Sequence, residues 1–247
     1  MDRESNLREI KYFGIRNVMS KGAEIRNKHI FRCFVLPISI AVILSVIISW
    51  TNADLEIARL FYVPGKGWFM GQELPWYFLY HYGNIPGIIL AVGGLLVFVL
   101  SFFRKELLPY KNIGLFLVIF MVLGPGLVVN TVFKEHWGRP RPGDIVNFGG
   151  TGTFHQPWEI GETGQGQSFP SGHASVGFFL FAPFFFLMKS HRKAAFAFLG
   201  LGIAFGLFMG TGRIIQGGHF LTDVIWSGLF TYLTGVTLAY VFRFDRR

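Results

Sequence analysis

Six apolar runs, at about 33–50, 85–103, 113–133, 171–188, 194–211 and 224–242, are separated by polar connections. Each run approaches the ~20 residues that an α-helix needs to cross a hydrocarbon layer. Inside such a layer the backbone N–H and C=O groups must be satisfied within each segment, which selects helices over open sheets. The expected fold is therefore all-α: a polytopic membrane protein whose residues 33–247 form a six-transmembrane-helix bundle, preceded by a charged segment, 1–32. Composition agrees, since 51% hydrophobic and 15% charged residues lie outside the range of an ordinary soluble domain. The single Cys33 forms no internal disulfide and excludes a multi-cysteine metal site.

The formal net charge is +9. Nucleic acid is not the expected partner, because that requires a basic face on a soluble domain and here the cations sit beside apolar runs. The segment before residue 33, the connections 104–112 and 189–193 and the tail 243–247 hold 17 of the 23 Lys and Arg. An even number of spans puts all four pieces on one side, and the positive-inside rule makes that side the cytoplasm, so both termini are expected there. The opposite side carries two longer pieces. Residues 51–84 hold Trp68, Trp76 and Tyr77, as an interfacial aromatic belt would, and Lys134 to Pro170 is a long polar excursion. Within it, Gly143 to Phe169 is Gly-rich and without period, and is expected to be an irregular loop. Inside the layer, Gly202, Gly206 and Gly210 recur on one helix face and predict close helix approach. Gly124-Pro125-Gly126 predicts a kink, and the phenylalanines from Phe178 to Phe186 read as lipid-facing or core packing.

Three polar clusters mark the outer ends of the predicted helices. The first, Gly212 to Asp223, contains R-x5-H-x3-D. A helix beginning near His219 would put His219 and Asp223 at i and i+4 on one face. The carboxylate would then hold the Nδ1 proton and leave Nε2 as a base or nucleophile, with Arg213 offering its planar fork to a phosphate. Helix caps use the same residue types. The second cluster, Pro170-Ser171-Gly172-His173, opens the fourth run, where free N–H groups and the helix dipole suit an anion. Ser171 can donate a hydroxyl hydrogen bond, Gly172 permits close backbone approach, and His173 can hold or release a proton. The same tetrapeptide also reads as an N-cap with a Gly hinge. The third, Lys134-x6-Arg141-Pro142, closes the third run and brings Lys134, Arg139 and Arg141 to a side otherwise poor in cations.

In chain order the clusters resemble the type 2 phosphatidic acid phosphatase superfamily, whose signature is K-x6-R-P, P-S-G-H and S-R-x5-H-x3-D. Gly212 departs from it, standing where the family usually has Ser. The resemblance implies a phosphatase that uses neither metal nor cofactor. His219 would attack phosphorus and become a phosphohistidine, oriented by Asp223, while His173 would protonate the departing oxygen and then activate water. Lys134, Arg141, Arg213, Ser171 and Gly172 would bind the phosphate. The outer connections lack, near these motifs, the carboxylate cluster that a magnesium or two-metal phosphatase requires. A site at the membrane surface suits a phosphorylated lipid as substrate. Similar bacterial enzymes act on phosphatidylglycerol phosphate, undecaprenyl pyrophosphate and lipid A, and the stretches Trp137 to Pro142 and Phe169 to Ser175 look most like the lipid A group. The implied location is the bacterial inner membrane with a periplasmic site. The Gly143 to Phe169 loop would tune substrate choice without carrying chemistry, with Phe148, Phe154, Trp158 and Ile160 dipping into the interface. A lipid phosphotransferase and a non-catalytic phosphate-binding protein are the other readings of the same residues.

Overall fold

The computed structural model describes residues 28, 30–164 and 166–244, so the expected 1–32 segment and the chain's C-terminal end lie largely outside the described residues. Two compact units divide at Val42 and Ile43, within the first helix, and the candidate site lies in the second. In chain order the helices are α1 (Phe31–Trp50), α2 (Ala53–Arg59), α3 (Trp76–Leu100), α4 (Lys105–His136), α5 (Gly172–Leu187), α6 (Arg192–Ile215) and α7 (Leu221–Val241). Among the described residues the extended pairings are two isolated bridges, Val63 with Gly67 and Ile145 with Gly152.

Five helices, α1, α3, α4, α6 and α7, are long and apolar enough to cross a membrane. The sixth expected span, α5, is shorter. At 1.5 Å per residue it rises about 24 Å, against ~30 Å of hydrocarbon. Helices also outrun the apolar runs that announced them. Helix α3 begins at Trp76 because its aromatic first turns continue the helix up to Gly83, and Pro86 restarts it in a first turn where no N–H is needed.

The Gly-Pro-Gly kink in α4 takes the form of a wide π-helical stretch, Val122–Phe133. Pro125 cannot donate a backbone hydrogen bond, and within this widened stretch side chains bond to backbone carbonyls. Asn130 Nδ2 donates to the Pro125 carbonyl at 2.7 Å, and Thr131 Oγ1 to that of Gly126 at 3.3 Å.

Close approach along α6 follows the small-residue face. A Cβ at Gly202 would fall 2.4 Å from the Phe181 nitrogen, at Gly206 2.3 Å from the Phe178 ring, and at Gly210 2.3 Å from Val224 Cγ1. The three glycines thereby bring both α5 and α7 against α6. Phe178, Phe179, Phe181 and Phe185 of α5 are buried. Phe179 and Phe185 meet Phe120 of α4 edge-on, at 5.1 Å between centroids for Phe179, so the buried rings are core and not lipid-facing. The resulting bundle carries the ends of α4, α5, α6 and α7 together: Ser171 N donates to the Asp223 carbonyl and Gly143 N to that of Gly217.

The Gly143 to Phe169 stretch is irregular, as expected, but it is not a free cover. Ile145 and Phe148 are buried with Ala58 and Phe220, and Phe154 packs on that cluster. Only Trp158 and Ile160, at 52% and 67% exposure, remain outward among the four residues expected at the interface.

Candidate active site

Helix α7 starts at Leu221, two residues later than the motif suggested. Phe220 is extended, and its N–H donates to Asp223 Oδ2 at 2.7 Å, so Asp223 caps the helix from its first turn. The extended step takes His219 off the helix face, and the i, i+4 geometry is replaced by a different one. His219 Nδ1 lies 2.5 Å from the Ser168 carbonyl and 3.6 Å from Asp223 Oδ2. Both are acceptors, so Nδ1 carries the proton and the Nε2 lone pair is left over. His219 is 1% exposed. Burial pulls its pKa down to about 4; Asp223 acts in the opposite direction, while Arg213 and Lys134 add to the lowering. The imidazole is therefore neutral near pH 7, as a nucleophile must be.

Behind this pair lies a buried ionic network that the motifs did not reveal. Arg139 is fully buried and uses its whole guanidinium. Its Nη1 donates to Asp223 Oδ1 at 2.5 Å and Thr222 Oγ1 at 2.8 Å, its Nη2 to Asp54 Oδ2 at 2.8 Å, and its Nε to the His155 carbonyl at 2.9 Å. Asp54, in the first turn of α2, also accepts from Thr222 N at 3.0 Å and Thr222 Oγ1 at 2.5 Å. The Phe220 ring covers the guanidinium at 4.5 Å. Burial lowers the Arg139 pKa, but Asp223 and Asp54 outweigh it and hold the value above the usual one. Two carboxylates against one guanidinium leave a surplus negative charge next to His219. Ser168 completes the support: its Oγ donates to Asp223 Oδ2 at 2.6 Å while its carbonyl accepts from His219. The loop expected to tune substrate choice thus also touches His219 and Asp223 directly through Ser168.

The phosphate side gathers the other predicted residues. Lys134 at the end of α4, Arg141 in the following loop and Arg213 in the last turn of α6 lie within one another's electrostatic reach, and Lys134 and Arg213 also reach His173 and His219. Among the described residues, Arg141 Nη2 donates to the exposed Gln167 Oε1, at 3.3 Å. Arg213 donates from Nη1 to Gln216, and its Nε is buried with no partner among the described residues. Ser171 caps α5, with Oγ accepting from Ala174 N at 3.5 Å, and keeps its hydroxyl proton to donate. The cap and the anion-site readings of the tetrapeptide are thus compatible. At Gly172 the space of a side chain is filled by Asn130, whose Oδ1 would lie 2.3 Å from a Cβ. The glycine therefore seats Asn130, and what it offers an anion is its first-turn N–H. His173 is half-buried, hydrogen-bonds the Tyr80 backbone and stacks on the Tyr80 ring at 5.0 Å and 19°.

Residues 113–247 match the model of the PAP2 superfamily. The chain belongs to the PAP2 superfamily. A lipid A 4'-phosphatase of Francisella tularensis subsp. novicida (strain U112) is 36% identical over 78% of this chain and 87% of its own. A lipid A 4'-phosphatase of Rhizobium leguminosarum is 39% identical over 44% of this chain and 46% of its own. A lipid A 1-phosphatase of Rhizobium johnstonii is 30% identical over 55% and 52%. No solved structure matches the chain. The PAP2 match contains every residue of the three motifs, whereas Asp54 and Tyr80 precede it. No spacing rule ties Asp54 to positions 139 and 223, and in sequence it reads as an ordinary first-turn acid. Arg139 had a weak signal in Gly138 and Pro140: Gly138 takes φ 67°, and a Cβ there would lie 2.4 Å from the Glu162 carbonyl oxygen.

Proposed function

We propose that this membrane lipid phosphatase removes the 4'-phosphate of lipid A through a phosphohistidine on His219. The observation that carries the reading is the fixed tautomer: two acceptors hold the Nδ1 proton of a neutral imidazole, leaving Nε2 as the nucleophile within reach of Lys134 and Arg213. In the first step Nε2 bonds to phosphorus and the P–O ester bond breaks, the departing oxygen taking a proton from His173. In the second, His173 takes a proton from water, whose oxygen displaces His219 and releases inorganic phosphate. Lys134, Arg141 and Arg213, with the Ser171 hydroxyl and the Gly172 N–H, neutralise the equatorial oxygens. The surplus charge of the Asp54, Asp223 and Arg139 cluster stabilises the positive imidazole ring while phosphorus is bound to it.

The names of the relatives, including one matched over most of its length, support lipid A as substrate. Both buried carboxylates are committed to Arg139, which supports chemistry without a metal. Phosphate release by the purified protein should be fastest from lipid A in a panel with phosphatidylglycerol phosphate, undecaprenyl pyrophosphate and phosphatidic acid, and EDTA should leave it unchanged. Mass spectrometry of the product should place the loss on the 4' ring. Preference for another lipid, loss in EDTA restored by Mg²⁺, or label passing to a second lipid would each overturn the corresponding part.

The reading includes a single membrane phosphatase domain over 33–247, in a bacterial inner membrane, with cytoplasmic termini and a periplasmic site. It is supported by the 17 of 23 basic residues on the other side. In a Cys33→Ser background, Ile160→Cys on the exposed loop should react with a membrane-impermeant thiol reagent in intact spheroplasts. Labelling only after lysis would reverse the orientation.

A further inference from the structure

A cavity of about 410 Å³ opens beside the phosphate site, lined by Gln72, Tyr77, Tyr80, His81, Arg213 and Gln216. It lies on the departing-group side, because Tyr80 forms one wall and stacks against His173, the proposed proton donor to the ester oxygen. Its volume is far more than a phosphate needs, given ~30 Å³ for a water, and sits within the ~300–1,000 Å³ of small-molecule sites. Its base is built in place. Gln216 Nε2 donates to the carbonyls of Gly71 and Trp76, both at 3.2 Å, while its amide oxygen receives Arg213. Gly71 is required for this seat, since a Cβ there would lie 2.6 Å from Gln216 Cγ.

The lining selects a chemistry. Gln72 and the guanidinium of Arg213 would lose hydrogen bonds to water against an acyl chain, which makes hydrocarbon a poor occupant. Tyrosine faces offer flat apolar contact of a kind that C–H faces of a sugar ring match, while amides and the His81 ring meet hydroxyls. His81 Nδ1 is engaged with the Tyr77 carbonyl at 2.9 Å, which leaves Nε2 for a ligand. We infer that this cavity is the subsite for the hydroxylated sugar ring that bears the scissile phosphate, with Tyr77 and Gln72 as specificity residues that take no part in phosphoryl transfer. The inference rests on the proposed activity toward a phosphorylated glycolipid.

The test uses the full-length protein in detergent and p-nitrophenyl phosphate hydrolysis as the readout, with glucosamine phosphate and glycerol phosphate as competing inhibitors. The wild type should be inhibited by the sugar phosphate at about tenfold lower concentration, and Tyr77→Ala or Gln72→Ala should reduce that preference several-fold while inhibition by inorganic phosphate, which has no group to place in the cavity, stays that of the wild type. Separately, kcat/KM on lipid A should fall about tenfold in Tyr77→Ala, through KM. Equal inhibition of the wild type by both phosphates, or full preference in both variants, would overturn the subsite. If lipid A is not hydrolysed yet the sugar preference is present and lost in the variants, the subsite stands and the lipid A reading falls. Unchanged inhibition by inorganic phosphate shows that the variants are folded.

Discussion

His219→Gln is expected to lower phosphate release by at least about four orders of magnitude, since removal of a nucleophile leaves only binding and charge stabilisation. The amide occupies similar space and can still donate toward the Ser168 carbonyl, so folding should persist. His173→Ala is expected to behave differently with the departing group. A lipid alkoxide needs a proton, and its loss should cost about 10²–10⁴ in rate. p-Nitrophenolate leaves without one, so the first step should survive while water activation fails, and a phosphoenzyme should accumulate. Radiolabelled p-nitrophenyl phosphate should leave acid-labile, alkali-stable label on His173→Ala protein and none on the double variant with His219→Gln. Label that survives loss of His219, or that is alkali-labile, would rule out the phosphohistidine. Burial keeps His219 neutral down to about pH 4, so protonation of the nucleophile of the free enzyme should reduce kcat/KM only as pH falls through that value.

The sequence made the ends of the site legible but not its interior. Lys134, Ser171, His173, Arg213, His219 and Asp223 were readable because charged and small residues at fixed spacing interrupt apolar runs, where their presence needs a reason. The partner of His219 Nδ1 was not readable, because a backbone carbonyl leaves no trace in residue identity: Ser168 acts there through its main chain. The one-face argument for His219 and Asp223 failed because the carboxylate caps the helix, and a cap ends the periodicity on which that argument depends. The same limit explains α5, whose apolar run was long enough by count although the helix begins only after the Ser171 cap. Asp54 was invisible for a different reason. Its partners, Arg139 and Thr222, are 85 and 168 residues away, and only the fold brings them together.

Arg139→Met should be the most destabilising substitution in the site. The guanidinium offers four donors to Asp54, Asp223, Thr222 and the His155 carbonyl, and its removal leaves two carboxylates facing each other in a region from which water is excluded. Breaking a buried pair from one side costs about 3–5 kcal/mol, and here both anions lose their partner. Arg139→Lys restores charge but not geometry, because one ammonium cannot reach acceptors that the planar fork meets on three nitrogens, and an intermediate loss is expected. Asp54→Asn separates stability from chemistry. It leaves Arg139 and Asp223 as a balanced pair, although its single amide oxygen must serve Thr222 and Arg139 where two carboxylate oxygens served them before. The fold should weaken by about 1–3 kcal/mol, whereas the surplus negative charge beside His219 disappears entirely. Accordingly kcat for phosphate release should fall by about tenfold or more in Asp54→Asn at a temperature where thermal unfolding in detergent shows the protein folded, with KM little changed, because the ring becomes positive only as phosphorus binds it. A loss of kcat that merely tracks the unfolded fraction would make Asp54 a structural residue and leave the catalytic site to the three motifs.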